Sequence, residues 1–252
     1  MKTFFIIVNP NADHGQAANI WEQVEQILLT RQVKYEAHQT THVGHAKQLI
    51  HLNFGKQKAE NIKDQVVLVV GGDGTLNETF NALKHEAPLE VPLAFIPVGH
   101  NNGFAKGIGI ASDPLVALDQ ILAATEPTYY NVGEYQETTH NEQGYFLNDF
   151  GIGLDAYTIS LNANVHKHMR LRKFLLKLHL NFLAYLINVF TAFLNQEAFA
   201  VTLRIGDKYE FFKHARLVNI ANHPYFENGI ILSPKADIND HQLDLIIADN
   251  LG

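Results

Sequence analysis

The sequence predicts an α/β domain built on a parallel sheet, followed by a β-sandwich domain that carries one long helix. Three observations predict it. Short apolar runs alternate with helix-period segments through the first half of the chain. Residues 66–70 (Val-Val-Leu-Val-Val) and 93–96 (Leu-Ala-Phe-Ile) are apolar throughout, as strands buried on both faces are. After Glu126-Pro127-Thr128 the alternation gives way to strand-like pieces, with a hairpin turn at Gly206-Asp207. The expected division is residues 1–127 and residues 128–252.

Taken in order, residues 4–8 (Phe-Phe-Ile-Ile-Val) read as a first strand that stops at Asn9-Pro10, too short a run for a signal-peptide core. Residues 16–29 read as a helix with Ile20, Val24, Ile27 and Leu28 on one face. A strand is expected at residues 33–39, and a second helix starts at residue 45. Strand 66–70 leads into a helix over residues 75–83, and strand 93–96 follows. Residues 114–124 form a helix with Ser112 or Asp113 as N-cap and Pro114 in its first turn. Later strands are expected at residues 144–150, 200–205, 209–212, 216–221 and 243–248, with the long helix over about residues 166–196.

Composition narrows the function classes. With 252 residues, 46% of them hydrophobic and 18% charged, the chain can bury a sizeable core. It has no cysteine, which excludes disulfides, cysteine nucleophiles and thiolate metal sites. Its net charge of -7 gives no global attraction for nucleic acid, and no basic–aromatic pattern suggests that partner. The apolar stretch 182–194, interrupted by Asn188 and Thr191, is too short to span a bilayer. No acidic residue falls between Asp155 and Glu197, while Lys167, Arg170, Arg172, Lys173 and Lys177 cluster at the start of that stretch. A basic head on an apolar helix suits peripheral contact with an anionic membrane, although an ordinary core face with solvated cations makes the same pattern. A soluble cytoplasmic protein, peripheral at the membrane, is expected.

The strongest local signal is Gly71-Gly72-Asp73-Gly74-Thr75-Leu76-Asn77-Glu78, where strand 66–70 ends and a helix begins. Glycines let the backbone turn sharply and approach a ligand, and a helix N-terminus offers free amides to phosphate. Asp73 disfavours phosphate by charge, so it needs a bound Mg²⁺, a proton to accept or a local donor. Thr75 is a candidate N-cap and phosphate ligand. Loops 9–15 and 97–103 follow two other strands, so a parallel sheet would gather all three at one edge. A tight capped turn is the bland alternative; three such loops together suit a nucleotide.

At this point the chain resembles a known family. Asn9-Pro10, Thr40 with Gly44-His45-Ala46, the Gly-Gly-Asp-Gly-Thr-Leu-Asn-Glu stretch, and Ile96-Pro97 leading to Gly99 and Asn102-Gly103-Phe104-Ala105 come in the order seen in the diacylglycerol kinase catalytic-domain family. Phe146, Asn148, Gly151 to Ala156, Ser233-Pro234-Lys235-Ala236 and Leu243-Asp244 extend the resemblance over the second half. The resemblance implies a nucleotide cleft between the two domains, Mg-ATP as phosphoryl donor and a lipid hydroxyl, diacylglycerol by default, as acceptor. It implies that Asn9, Pro10, Thr40, Gly71, Gly72, Asp73, Gly74, Thr75, Asn77, Glu78, Gly99, His100 and Asn102 line the ATP site. It also implies that Asp73 is the essential acidic residue, that Asp73 and Asp240 are metal residues, and that a homodimer is a candidate assembly.

Departures accompany the likeness. His100 and Gly103 stand where the family has Thr and an acidic residue, Asn131 where it often has Asp, and Asn239-Asp240-His241 where it has Asp-Asp-Gly. The family's Asp-Gly-Glu motif is absent from this sequence, whose expected β domain therefore lacks the family's C-terminal segment. A binding protein without turnover and an NAD kinase, which shares the Gly-Gly-Asp-Gly-Thr core, are the rival readings. Two further signals are set aside. Gly151-Ile152-Gly153-Leu154-Asp155-Ala156 matches a dinucleotide fingerprint but lies in the β-rich half. His38, His42, His45 and His51 invite a zinc site, and His42 and His45 could share a helix face, but no carboxylate partner is evident near that pair.

Overall fold

The computed structural model describes residues 2–99, 102–153, 197–226 and 230–249. His100, residues 154–156 of the dinucleotide-like run and the long basic helix expected over residues 166–196 lie outside the described residues.

Strands β1 (Thr3–Val8), β2 (Tyr35–Gln39), β3 (Gln65–Gly71) and β4 (Leu93–Pro97) form a parallel sheet in the order β2-β1-β3-β4. Alternation along β1 divides its side chains between two cores. Phe4, Ile6 and Val8 pack with Trp21, Val24 and Leu28 of helix α1 (Gln16–Thr30). Phe5 and Ile7 pack with Ile50 and Phe54 of α2 (His45–Phe54) and Leu83 of α4 (Asp73–Glu86). Burying each such side chain contributes about 1.5–3 kcal/mol, which outweighs weak local propensity and fixes strand register. Short helices α3 (Ala59–Ile62) and α5 (Gly103–Gly107) and helix α6 (Pro114–Ala123) complete the α/β part. Asp113 is the N-cap of α6, accepting from the Leu115 amide at 2.8 Å and the Val116 amide at 3.1 Å.

A small hairpin follows, β5 (Gly133–Glu137) with β6 (Glu142–Phe146). The antiparallel sheet comprises β7 (Asp149–Gly153), β8 (Phe199–Ile205), β9 (Lys208–Ala221) and β10 (Asp244–Asp249). Strand β9 is long enough to pair with β8 through its first half and with β7 and β10 through its second. The turn at Gly206-Asp207 joins β8 to β9, with Gly206 at φ +60°. An α/β domain on a parallel sheet followed by an antiparallel sheet is therefore the architecture.

Several element boundaries differ from expectation. Helix α4 starts at Asp73, not Thr75, and its N-cap is Gly72, which makes no side-chain cap bond. Residues 144–150 split into two strands, and 209–212 and 216–221 merge into β9. Gly151-Ile152-Gly153 lies inside β7, paired antiparallel to β9, whereas a dinucleotide fingerprint follows a strand of a parallel βαβ unit. By contacts the chain divides into one unit of residues 1–148 with 223–241 and another of 149–222 with 242–252. Residues 223–241 come back to the first unit because Ile238 is buried with Phe95, Phe104 and Leu147, and its carbonyl accepts from the Asn131 amide at 2.9 Å. Among the described residues no helix is long and apolar enough to cross a membrane.

Candidate functional site

In the order β2-β1-β3-β4 the chain builds outward from β1 in one direction, then crosses to β3 and continues the other way. The carboxyl ends of β1 and β3 flank that reversal, where open α/β sheets bind ligands. Asn9 follows β1 and the Gly-rich turn follows β3, and the two loops meet: Asn9 Nδ2 donates to Thr75 Oγ1 at 3.0 Å. Asn9 Oδ1 accepts from the Asn11 amide at 3.2 Å, holding the loop that begins at Pro10. Glycine at 71 suits this close contact, since a Cβ there would lie 3.3 Å from Asn9 Cβ and 3.4 Å from Thr75 Oγ1. At Gly74 a Cβ would meet nothing within 4 Å, so the turn presents open backbone to a ligand.

The loop after β4 closes on the same turn. A Cβ on Gly99 would stand 3.5 Å from Gly72 Cα, and Asn102 Nδ2 donates to the Gly99 carbonyl at 2.8 Å. Asp73 reaches across: its Oδ2 accepts from the Gly103 amide at 2.8 Å and from Asn148 Nδ2 at 2.9 Å. Burial pushes its carboxyl above the ordinary carboxylate range, against the opposing pull of Asn148, the Gly103 and Phe104 amides and Lys106. Among the described residues Asp73 Oδ1, a buried atom, has no hydrogen-bond partner, and neither has Asn77 Oδ1 one helical turn further along α4. Residues at i and i+4 share a helix face, and such oxygens are the hard donors that Mg²⁺ takes. The residues present therefore fit that ion.

The other sequence candidates are less directly placed. Thr40 follows β2, is buried, and its amide donates to the Val8 carbonyl at 2.8 Å. Glu78 turns to the start of α2, accepting from the Gly44 amide at 3.3 Å and the Lys47 amide at 3.0 Å. Thr75, expected as an N-cap, instead sits inside the first turn of α4 with its hydroxyl engaged by Asn9. Asp240 is exposed, in a turn where its amide donates to the Asp237 carbonyl at 3.2 Å. Among the described residues no three or more His, Asp or Glu side chains gather as a metal site. His42 and His45 stack with centroids 4.8 Å apart, while His38 pairs with Glu36 and His51 with Glu86.

Sequence reasoning gave no site role to Asn148 and did not notice His223. His223 Nε2 lies 3.0 Å from Asn148 Oδ1, and burial pushes its pKa down to about 4. Nothing in the local run Asn222-His223-Pro224 marks it, because its contacts arise from the return of residues 223–241.

The model of the diacylglycerol kinase catalytic domain matches residues 3–134, which include the loops after β1, β2, β3 and β4. YtlR of Bacillus subtilis, named as a candidate lipid kinase, is 29% identical over 251 residues, covering 99% of this chain and 78% of that protein. Sphingosine kinase B of Dictyostelium discoideum is 32% identical over 126 residues, 48% of this chain but only 16% of that protein. A crystal structure of a diacylglycerol kinase from Bacillus anthracis has the same fold, with a TM-score of 0.65 at 22% identity over 99% of this chain and 76% of that one.

Proposed function

Because the chain belongs to the diacylglycerol kinase catalytic-domain family, we propose that it is an ATP-dependent lipid kinase, transferring the γ-phosphoryl group to a lipid hydroxyl such as that of diacylglycerol. The observation that carries this reading is Asp73. It is a half-buried carboxyl group at the sheet's reversal point, with Oδ2 committed to Gly103 and Asn148 and Oδ1 without a hydrogen-bond partner among the described residues. Asp73 and Asn77 would hold Mg²⁺, which when bound supplies the positive charge that phosphoryl transfer needs. The turn from Gly71 to Thr75 receives the phosphates through backbone amides at the start of α4. Asn9 steadies that turn through Thr75. Positioning and charge neutralisation are most of what such a site must provide. The acceptor is membrane lipid, so the protein works at the cytoplasmic face of a membrane, with the basic run around Lys167 to Lys177 as its sequence-level anchor.

The test is ADP release from Mg-ATP in mixed micelles carrying diacylglycerol, sphingosine or neither, with Asp73→Ala as control. Lipid-dependent turnover that falls about a hundredfold or more in the folded mutant is expected. Turnover undiminished in Asp73→Ala would remove Asp73 from its role, and phosphorylation of NAD without lipid would move the reading to an NAD kinase. One observation favours a second reading, a nucleotide-binding protein without turnover: His100, Gly103, Asn131 and Asn239 stand where the family has Thr or acidic residues. ATP binding with no ADP release under any lipid condition would select it.

A further inference from the structure

Among the described residues His223 is the most completely buried titratable side chain, 2% exposed, and the reaction proposed above does not use it. Its ring is held at both nitrogens. Nδ1 accepts from the Tyr225 amide at 3.2 Å. A backbone amide can only donate, so the ring proton must sit on Nε2. Nε2–H therefore donates to Asn148 Oδ1 at 3.0 Å. An Asn that accepts on Oδ1 presents its NH₂ on the other side, and Asn148 Nδ2 donates to Asp73 Oδ2 at 2.9 Å. One main-chain amide thus fixes the direction of every hydrogen bond down to the carboxylate. The ring also has dedicated room: a Cβ at Gly107 would stand 3.0 Å from His223 Cγ.

We propose that His223 is a positioning residue for the phosphoryl-transfer site: by locking the Asn148 amide it commits Asp73 Oδ2 and leaves Asp73 Oδ1 for the cation that accompanies the nucleotide. This rests on the lipid-kinase reading. Without the Nε2–H donor Asn148 Oδ1 is left unsatisfied in a part-buried site, and the amide shifts toward another donor. Its Nδ2 then moves off Asp73 Oδ2, and the carboxyl group loses a bond that aims Oδ1.

The test uses the full chain as wild type, His223→Phe, which keeps bulk without the donor, and His223→Gln, which keeps an N–H donor. Three quantities are read: Mn²⁺ affinity in the presence of ATP by electron paramagnetic resonance, kcat and KM in diacylglycerol micelles, and solvent exchange of the Asn148 side-chain amide by nuclear magnetic resonance. In His223→Phe, Mn²⁺ affinity and kcat are expected to fall about 10–100-fold with the KM for lipid unchanged. His223→Gln restores most of both. Asn148→Asp, which keeps an acceptor for His223 and removes the donor to Asp73, reproduces the Phe defect. Equal Mn²⁺ affinity in wild type and His223→Phe overturns the proposal. So does an equal fall in the Gln and Phe variants, the mark of lost packing alone. If wild type neither turns over nor binds Mn²⁺-ATP, the lipid-kinase reading fails by itself, and amide exchange decides whether His223 orders Asn148. Protection in wild type and His223→Gln but not in His223→Phe supports that ordering; equal protection in all three refutes it. Should His223→Phe not fold, the comparison of His223→Gln with Asn148→Asp carries the test.

Discussion

Asp73 and His223 are shifted by the same cause with opposite consequences for stability. Burial raises the Asp73 pKa, so the native state holds that proton more tightly than the unfolded chain does. The ionised form is therefore a cost to folding above the raised pKa, and the cost is relieved as pH falls. Asp73→Asn is expected to be inactive yet more stable at pH 7 by about 1 kcal/mol, measured by urea unfolding. His223 runs the other way. Its pKa is pushed from 6.5 to about 4, so between those values the unfolded chain takes up a proton that the native state refuses. Its contribution is complete above 6.5 and lost as pH falls through that window, by roughly 3 kcal/mol at most. Unfolding midpoints at pH 7 and pH 4.5 should differ less in His223→Gln than in wild type; equal differences would remove His223 from the acid response.

At the scale of elements, the contact between the β1 loop and the start of α4 decides how the Gly-rich turn is held. Gly71→Ala places a methyl against Asn9 Cβ and Thr75 and is expected to lower ATP affinity about tenfold, at a stability cost of about 1 kcal/mol. Nucleotide titration alongside thermal melting would separate the two effects. The sheet itself was legible because β1, β3 and β4 are buried and their apolar runs say so. The first turn of α4 was not, since Gly72-Asp73-Gly74 is a poor helix former and its geometry depends on Asp73 bonding the distant Gly103 and Asn148. Strand β5 was missed because Gly133-Glu-Tyr-Gln-Glu is polar; its partner β6 stacks Phe146 over Gly133 to make the pair. Strand β9 was read as two because Lys213-His214 interrupts its apolar pattern. Asp73 stands out in the local Gly-rich run and takes its expected role from the family resemblance, whereas noticing His223 required knowing where the chain returns.

At the scale of the molecule, the first unit is assembled from two separate stretches of chain, 1–148 and 223–241. Ile238, 3% exposed, packs with Phe95, Phe104 and Leu147 from the earlier stretch. Ile238→Ala is expected to cost about 2–4 kcal/mol of stability by urea unfolding. A loss under 1 kcal/mol would mean that the returning stretch is a passive strap. The discontinuity also sets a timetable. On the ribosome the Gly-rich turn emerges early, Asn148 later, and His223 only after the strands β7, β8 and β9 have been made. Until then the turn exists without the side chain that orders its acidic partner. The acidic centre thus ripens only once residues 223–241 have been made, and a nascent chain stalled before them carries the motif without the finished machine.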